Sequence, residues 1–218
     1  MQHILMNIKQ LHIPSSVILL AVLKNRSVPE IQGVLKAGIT HLGENRIQEA
    51  EGHFKALGPA LLRTVTKHFI GHLQSNKVKK AVQLFDIIQA VDSEKLAKII
   101  SQEAQKQGKI QEIMIQVNIG KEPQKHGVMP EDVISLHDAI KHLQNVEIIG
   151  LMCIPPALPP EQVRLYFKRM KQLQKELRLP QLSMGMSGDY QVAIEEGSTL
   201  VRLGRRLFAL FESQKPKV

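Results

Sequence analysis

Cysteine occurs once in this chain of 218 residues, as Cys153. That excludes an intramolecular disulfide and every CxxC or cysteine-rich zinc pattern. A reducing cytoplasm is the expected compartment. Tryptophan is missing and tyrosine occurs twice, leaving little aromatic surface on which nucleotide bases could stack. No apolar run approaches the roughly 18–20 residues of a membrane span; the longest extends only from Ser15 to Leu23. The opening Met1-Gln2-His3-Ile4-Leu5-Met6 lacks the basic leader and small-residue cleavage site of a signal peptide. Nucleophile-elbow, Walker-type and HExxH motifs are also missing. His68 and His72 are four apart, but Ile70-Gly71 between them reads as a strand end. No metal site is expected, and Cys153 reads as a packed small residue.

What is present is a basic, ordinary globular composition: net charge +9, 43% hydrophobic and 22% charged residues. Basic surface favours anionic ligands. A nucleic-acid-binding role would rest on charge alone, for instance at Lys77, Lys79 and Lys80. One domain over residues 1–218 is expected, with 1–15 a short N-terminal segment and 210–218 a tail.

The chain alternates between two hydrophobic periods. Apolar runs suited to buried parallel strands fall at 17–23, 39–42, 68–70, 86–91, 112–117, 146–152, 181–183 and 200–203. Helical spacing fills intervals between them. Val28, Ile31, Val34 and Leu35 follow Ser27 as N-cap, with Gly38 as a stop. Leu96, Ile99 and Ile100 follow Ser93-Glu94, and Val133, Leu136 and Ile140 follow Pro130. The longest stripe, Val163, Phe167, Met170, Leu173 and Leu177, starts at Pro160 and stops near Pro180. Eight strand–helix units specify a parallel sheet, and at this length a closed α/β barrel, (β/α)8, with a doubly wound open sheet as the alternative.

Such barrels carry their sites at the C-terminal strand ends, with phosphate commonly held after strands seven and eight. Here those loops are Met184-Gly185-Met186-Ser187-Gly188-Asp189 and Gly204-Arg205-Arg206, each preceding a helix whose N–H groups suit an anion. Lys24 ends the first strand. It is either a stem snorkelling to water or a reactive amine, and an amine beside a phosphate cradle suffices to hold pyridoxal phosphate. Ser187-Gly188-Asp189 equally makes an N-cap turn, Arg202 equally serves as an ion-pair partner for Glu44, and Glu44-Asn45 equally caps a helix.

Several stretches are specific enough to name a family. Ala21-Val22-Leu23-Lys24, Gly43-Glu44-Asn45-Arg46, Gly71-His72-Leu73-Gln74-Ser75-Asn76-Lys77, Ser183-Met184-Gly185-Met186-Ser187 and Val201-Arg202-Leu203-Gly204 resemble the pyridoxal phosphate homeostasis proteins. These are single-domain relatives of the alanine racemase N-terminal barrel, a TIM barrel. The resemblance runs from about residue 18 to residue 208. It implies that Lys24 forms a Schiff base with pyridoxal 5'-phosphate, and that Ser187, Gly204 and the backbone at Arg205 bind its phosphate. It further implies that Arg202 faces the pyridine nitrogen and that Asn45 lies near the ring hydroxyl. The implied role is cofactor homeostasis without catalysis, in a cytoplasmic monomer with pyridoxal phosphate-dependent apo-enzymes as recipients. An amino-acid racemase is the alternative, although racemases of this fold take a second base from a further domain. Leu23 and Asn25 stand where the family usually has serine and threonine, and Arg205 and Ala209 replace small residues. The resemblance therefore implies an altered site at Leu23.

Overall fold

The computed structural model describes residue 8 and residues 10–212. Of the expected N-terminal segment 1–15, residues 1–7 and 9 lie outside them, as do residues 213–218 of the expected tail. Eight strands close into one parallel barrel in sequential order: β1 (Ile18–Val22), β2 (His41–Glu44), β3 (Thr66–Phe69), β4 (Ile87–Val91), β5 (Gln111–Val117), β6 (Val146–Cys153), β7 (Gln181–Ser183) and β8 (Leu200–Leu203). Helices α1 (Val28–Lys36), α2 (Ile47–Leu62), α3 (Val78–Leu84), α4 (Glu94–Lys106), α5 (Val133–Ile140), α6 (Pro160–Glu176), α7 (Tyr190–Glu195) and α8 (Arg205–Glu212) follow the strands in turn. Closure is made by β1 against β8, where Ile18 pairs Leu200 and Ala21 pairs Leu203. That excludes the open sheet. Helix α8 carries regular structure into the stretch read as tail.

Expected helix starts hold where a side chain competes for free amides. Glu30 reaches back to the N–H and hydroxyl of Ser27, at 2.8 and 2.7 Å. Ser93 accepts from the Leu96 N–H at 3.4 Å. At Pro130 the expectation was early: residues 130–132 form a turn, and α5 opens at Val133. Helix α6 buries Val163, Phe167, Met170 and Leu173 as the stripe predicted. Each such burial stabilises by roughly 1.5–3 kcal/mol, so packing rather than propensity holds this helix. Helix α2 kinks because Pro59 lacks an N–H and clashes with the preceding turn, while Gly58 takes φ +75° to let the chain resume.

Alternation along each strand sorts residues into two layers. Ala21, Leu23, Leu42, Val201 and Leu203 pack outward with Ile31 and Val34 of α1 and with Leu207 and Phe208 of α8. Inside the barrel, Ile87, Met114, Ile149 and Met152 form an apolar plug on the side of β4 to β6. Strand β2 runs to Glu44, two residues past its expected end, because its ladder to β1 continues through Gly43 and its ladder to β3 through Glu44, opposite Phe69. A Cβ at Gly43 would lie 2.2 Å from Leu20 Cδ2, so the interior there is filled by the neighbouring strand.

Candidate functional site

Strand β1 leads to the rim with Leu20, Val22 and Lys24 on one parity and Ala21 and Leu23 on the other. Leu20 pairs in register with Arg202 of β8 and His41 of β2. Leu23 is fully buried in the outer layer. The expected perturbation of the site at Leu23 is thereby corrected: the period-2 alternation sends this side chain toward the helices, away from the rim. Lys24 is exposed in a turn closed by the Arg26 N–H bonding the Leu23 carbonyl at 2.9 Å. Asn25 supplies the left-handed residue of that turn, φ 57°. Among the described residues nothing hydrogen-bonds or ion-pairs with the Lys24 amine.

Across the opening, the loops after β7 and β8 meet. The first is fixed by its own backbone: Gly185 accepts from the Arg202 N–H at 2.9 Å, and Asp189 Oδ1 accepts from the Met186 N–H at 2.6 Å. Gly185 has φ +93°, and a Cβ there would lie 2.5 Å from the Ala193 Cβ, so only glycine fits. The half-buried Ser187 then presents its hydroxyl to the Arg206 N–H, 3.4 Å away in the first turn of α8. Gly204 passes over the end of β1, with the Val22 Cβ only 3.5 Å from where its own Cβ would stand. Arg205 and Arg206 are exposed, and the Arg206 guanidinium lies over the Tyr190 ring. A hydroxyl, the N–H groups of a helix start and surrounding positive charge are groups that could hold an anion.

Arg202 projects into the barrel, 4% exposed. It donates to Ser183 Oγ at 2.6 Å and to the Cys153 carbonyl at 2.7 Å. Burial lowers its pKa, yet a guanidinium stays charged. It is not the partner of Glu44. That carboxylate points outward to His53 of α2, at 2.6 Å, and burial raises it to about 7.

From Arg202 a single polarised chain crosses the interior. Ser183 Oγ donates to Gln89 Oε1 at 2.7 Å, and Gln89 Nε2 meets His68 Nδ1 at 2.8 Å. His68 Nε2 meets His41 Nδ1 at 2.9 Å. Burial, with the His41 charge, depresses His68 to about 3. His68 is therefore neutral: it accepts at Nδ1, carries its proton on Nε2 and donates onward. The expected site residues did not include Ser183, Gln89, His68 or His41. Their only sequence signal is a polar residue on the inward parity of an apolar strand.

Asn45 follows β2 on the same parity as His41 and Gly43. It is half-buried, and its side-chain oxygen is buried without a partner. Gly71 closes against it, since a Cβ there would fall 2.1 Å from the Asn45 carbonyl oxygen. Cys153 is buried and its thiol is pushed up to about 12, consistent with packing.

With this geometry in view, the comparisons are decisive. Residues 1–211 match the family described as alanine racemase, N-terminal domain. A pyridoxal phosphate homeostasis protein of Aquifex aeolicus (strain VF5) is 42% identical over 193 residues, covering 84% of this chain and 83% of its own. Its counterpart in Vibrio cholerae is 39% identical over 203 residues, covering 89% and 85%. The chain belongs to the pyridoxal phosphate homeostasis protein family. Among solved structures, PipY of Synechococcus elongatus PCC7942 with pyridoxal phosphate bound superposes at a TM-score of 0.83, with 36% identity. That match covers 94% of this chain and 99% of PipY. Alanine racemase of Clostridium difficile 630 superposes at 0.74 with 16% identity, and so shares the fold. Among the described residues of this family member, no helix is long and apolar enough to cross a membrane.

The residues present fit the family's cofactor. An amine and an amide oxygen at Asn45, both without partners among the described residues, a buried guanidinium and the Ser187–α8 amides stand at or just inside the C-terminal ends of β1, β2, β7 and β8. They match an aldehyde, a ring hydroxyl, a pyridine nitrogen and a phosphate in chemical kind.

Proposed function

We propose that this chain binds pyridoxal 5'-phosphate reversibly, as a carrier or buffer of the cofactor with no robust catalysis of its own. The observation that carries this reading is an exposed Lys24 amine, unengaged among the described residues, at the end of β1, the strand that pairs with β8 and so adjoins the loop where Ser187 meets the start of α8. When bound, the cofactor supplies an electrophilic aldehyde and, if its ring nitrogen is protonated, an electron sink. Lys24 provides the nucleophilic nitrogen for that aldehyde. Ser187, Gly204 and the Arg205 backbone hold the phosphate through N–H and hydroxyl groups and the helix dipole. Asn45 pairs with the ring hydroxyl.

Arg202 determines why binding exceeds chemistry. A guanidinium has donors and no acceptor, so a ring nitrogen held by it would itself accept and would remain unprotonated. The electron sink is thereby weakened. Ser183 and the Cys153 carbonyl hold Arg202 in that role. The whole barrel acts as one cofactor-binding unit, in a monomer, in the cytoplasm, with apo-enzymes that need pyridoxal phosphate as recipients.

The test is an absorbance titration of folded protein with pyridoxal phosphate. Wild type should give a saturable, red-shifted band that Lys24→Ala abolishes. No band in wild type, or an unchanged band in the variant, rejects the reading. Prolonged incubation of loaded protein with L-alanine addresses the racemase alternative: accumulation of D-alanine beyond one equivalent would establish it.

A further inference from the structure

Opposite the phosphate cradle, the loops after β3, β4 and β5 converge on His72, Asp92 and His126. One ligating atom from each lies within 4.8 Å of the others. The imidazoles stack face to face, centroids 3.6 Å apart and 8° from parallel. Both rings are exposed and Asp92 is half-buried. Among the described residues, none of the three side chains makes a hydrogen bond or ion pair, so the stacked rings and the carboxylate are left without a polar partner. Turned out of that stack, both rings and the carboxylate come within reach of one divalent cation.

Each of the three is anchored by a fixed neighbour. His72 follows Gly71, which is wedged against the Asn45 carbonyl. Asp92 precedes Ser93, whose hydroxyl caps α4. His126 precedes Gly127, at φ +124°, where a Cβ would come 2.5 Å from the Asn118 nitrogen. The loop that carries His126 is tied down by buried Asn118, which bonds the Glu122 carbonyl at 2.9 Å and the Lys125 carbonyl at 3.2 Å. Gln116 Nε2 holds the His126 carbonyl at 3.2 Å. The loops that carry the donors are thus held in place, and the exposed rings need only turn on their own side-chain torsions to aim a nitrogen each at one ion.

We propose that His72, Asp92 and His126 bind one divalent transition-metal ion of the Zn2+, Co2+ or Ni2+ class. Two imidazoles and one carboxylate suit these borderline ions rather than Mg2+ or Ca2+, which prefer oxygen donors. Three protein ligands leave coordination positions open for water or an anionic ligand at the barrel mouth. The inference is independent of the cofactor reading, because no residue is shared between them.

The experiment is a Co2+ titration of untagged, cofactor-free full-length protein, followed by visible absorption and by calorimetry with Zn2+ competition. Wild type should bind one equivalent saturably. Asp92→Asn and His126→Ala should each weaken binding by about tenfold or more, with circular dichroism unchanged because these side chains are solvent-accessible. His142→Ala, an exposed histidine elsewhere, should bind as wild type. Excess Mg2+ should leave the Co2+ spectrum intact. No saturable binding, equal affinity in Asp92→Asn and His126→Ala to wild type, or an equal loss in His142→Ala would overturn the assignment.

Discussion

Two glycines three residues apart in one loop separate backbone demand from mere loop position. At Gly185 the backbone has φ +93°, and an added Cβ would stand 2.5 Å from the Ala193 Cβ and 3.0 Å from the Tyr190 Cα. Neither neighbour is the free end of a flexible side chain, so relief requires moving α7 against β7. Left-handed geometry costs a non-glycine residue roughly 1–2 kcal/mol, and forced overpacking adds about 1–3 kcal/mol. Gly185→Ala should therefore destabilise by about 2–5 kcal/mol, a large share of a typical domain's 5–15 kcal/mol. In a chain of this size that lowers the melting temperature by about 4–20 °C. At Gly188 an added Cβ meets nothing within 4 Å and φ is not left-handed, so Gly188→Ala should stay within about 0.5 kcal/mol of wild type. Thermal and urea unfolding of both variants measure this. Because Gly185 also holds the Arg202 backbone, Gly185→Ala should bind pyridoxal phosphate more weakly as well. A Gly185→Ala protein as stable as Gly188→Ala would refute the reasoning.

Stability should depend on pH through two buried groups that act in opposite directions. Glu44, raised to about 7 from 4.5, holds a proton in the native state that the unfolded chain has lost between these values. Its contribution is complete below about pH 4.5 and fades by up to about 3 kcal/mol as pH rises through 7. His68, lowered to about 3 from 6.5, contributes fully above pH 6.5 and loses about 4–5 kcal/mol as pH falls toward 3. Glu44→Gln removes the first effect, so its urea-unfolding free energy should climb more steeply than wild type between pH 4.5 and 6.5; parallel profiles would contradict this. Leu23→Ala should cost about 2–5 kcal/mol by leaving a cavity in the outer layer, yet leave the cofactor absorbance band unchanged. A shifted band would return Leu23 to the site.

The barrel was legible because its cues are local. Alternation and apolar runs marked all eight strands, and Ser27, Ser93 and Pro160 marked helix starts through capping chemistry and fixed φ. Boundaries slipped where a neighbour decides them: β2 reaches Glu44 because β1 offers a ladder partner for Gly43 and β3 one for Glu44. Helix α2 holds Gly58-Pro59 as a kink inside a continuing helix, which local spacing alone does not mark. The cradle was foreseeable from Ser187 and Gly204, since loops after the last two strands must converge once the sheet closes. The chain from Arg202 to His41 was not, because its members lie on five strands and meet only through closure and shear. The meeting of His72, Asp92 and His126 was hidden for the same reason: spacing within one segment carries no trace of a cluster assembled from three loops.

The central claim is that one strand-end amine captures the cofactor. Protein incubated with pyridoxal phosphate, reduced with borohydride and digested should carry a phosphopyridoxyl mass on the peptide containing Lys24, and Lys24→Ala should carry none. Label on a different lysine, or a folded wild type that takes up no label, would contradict the account.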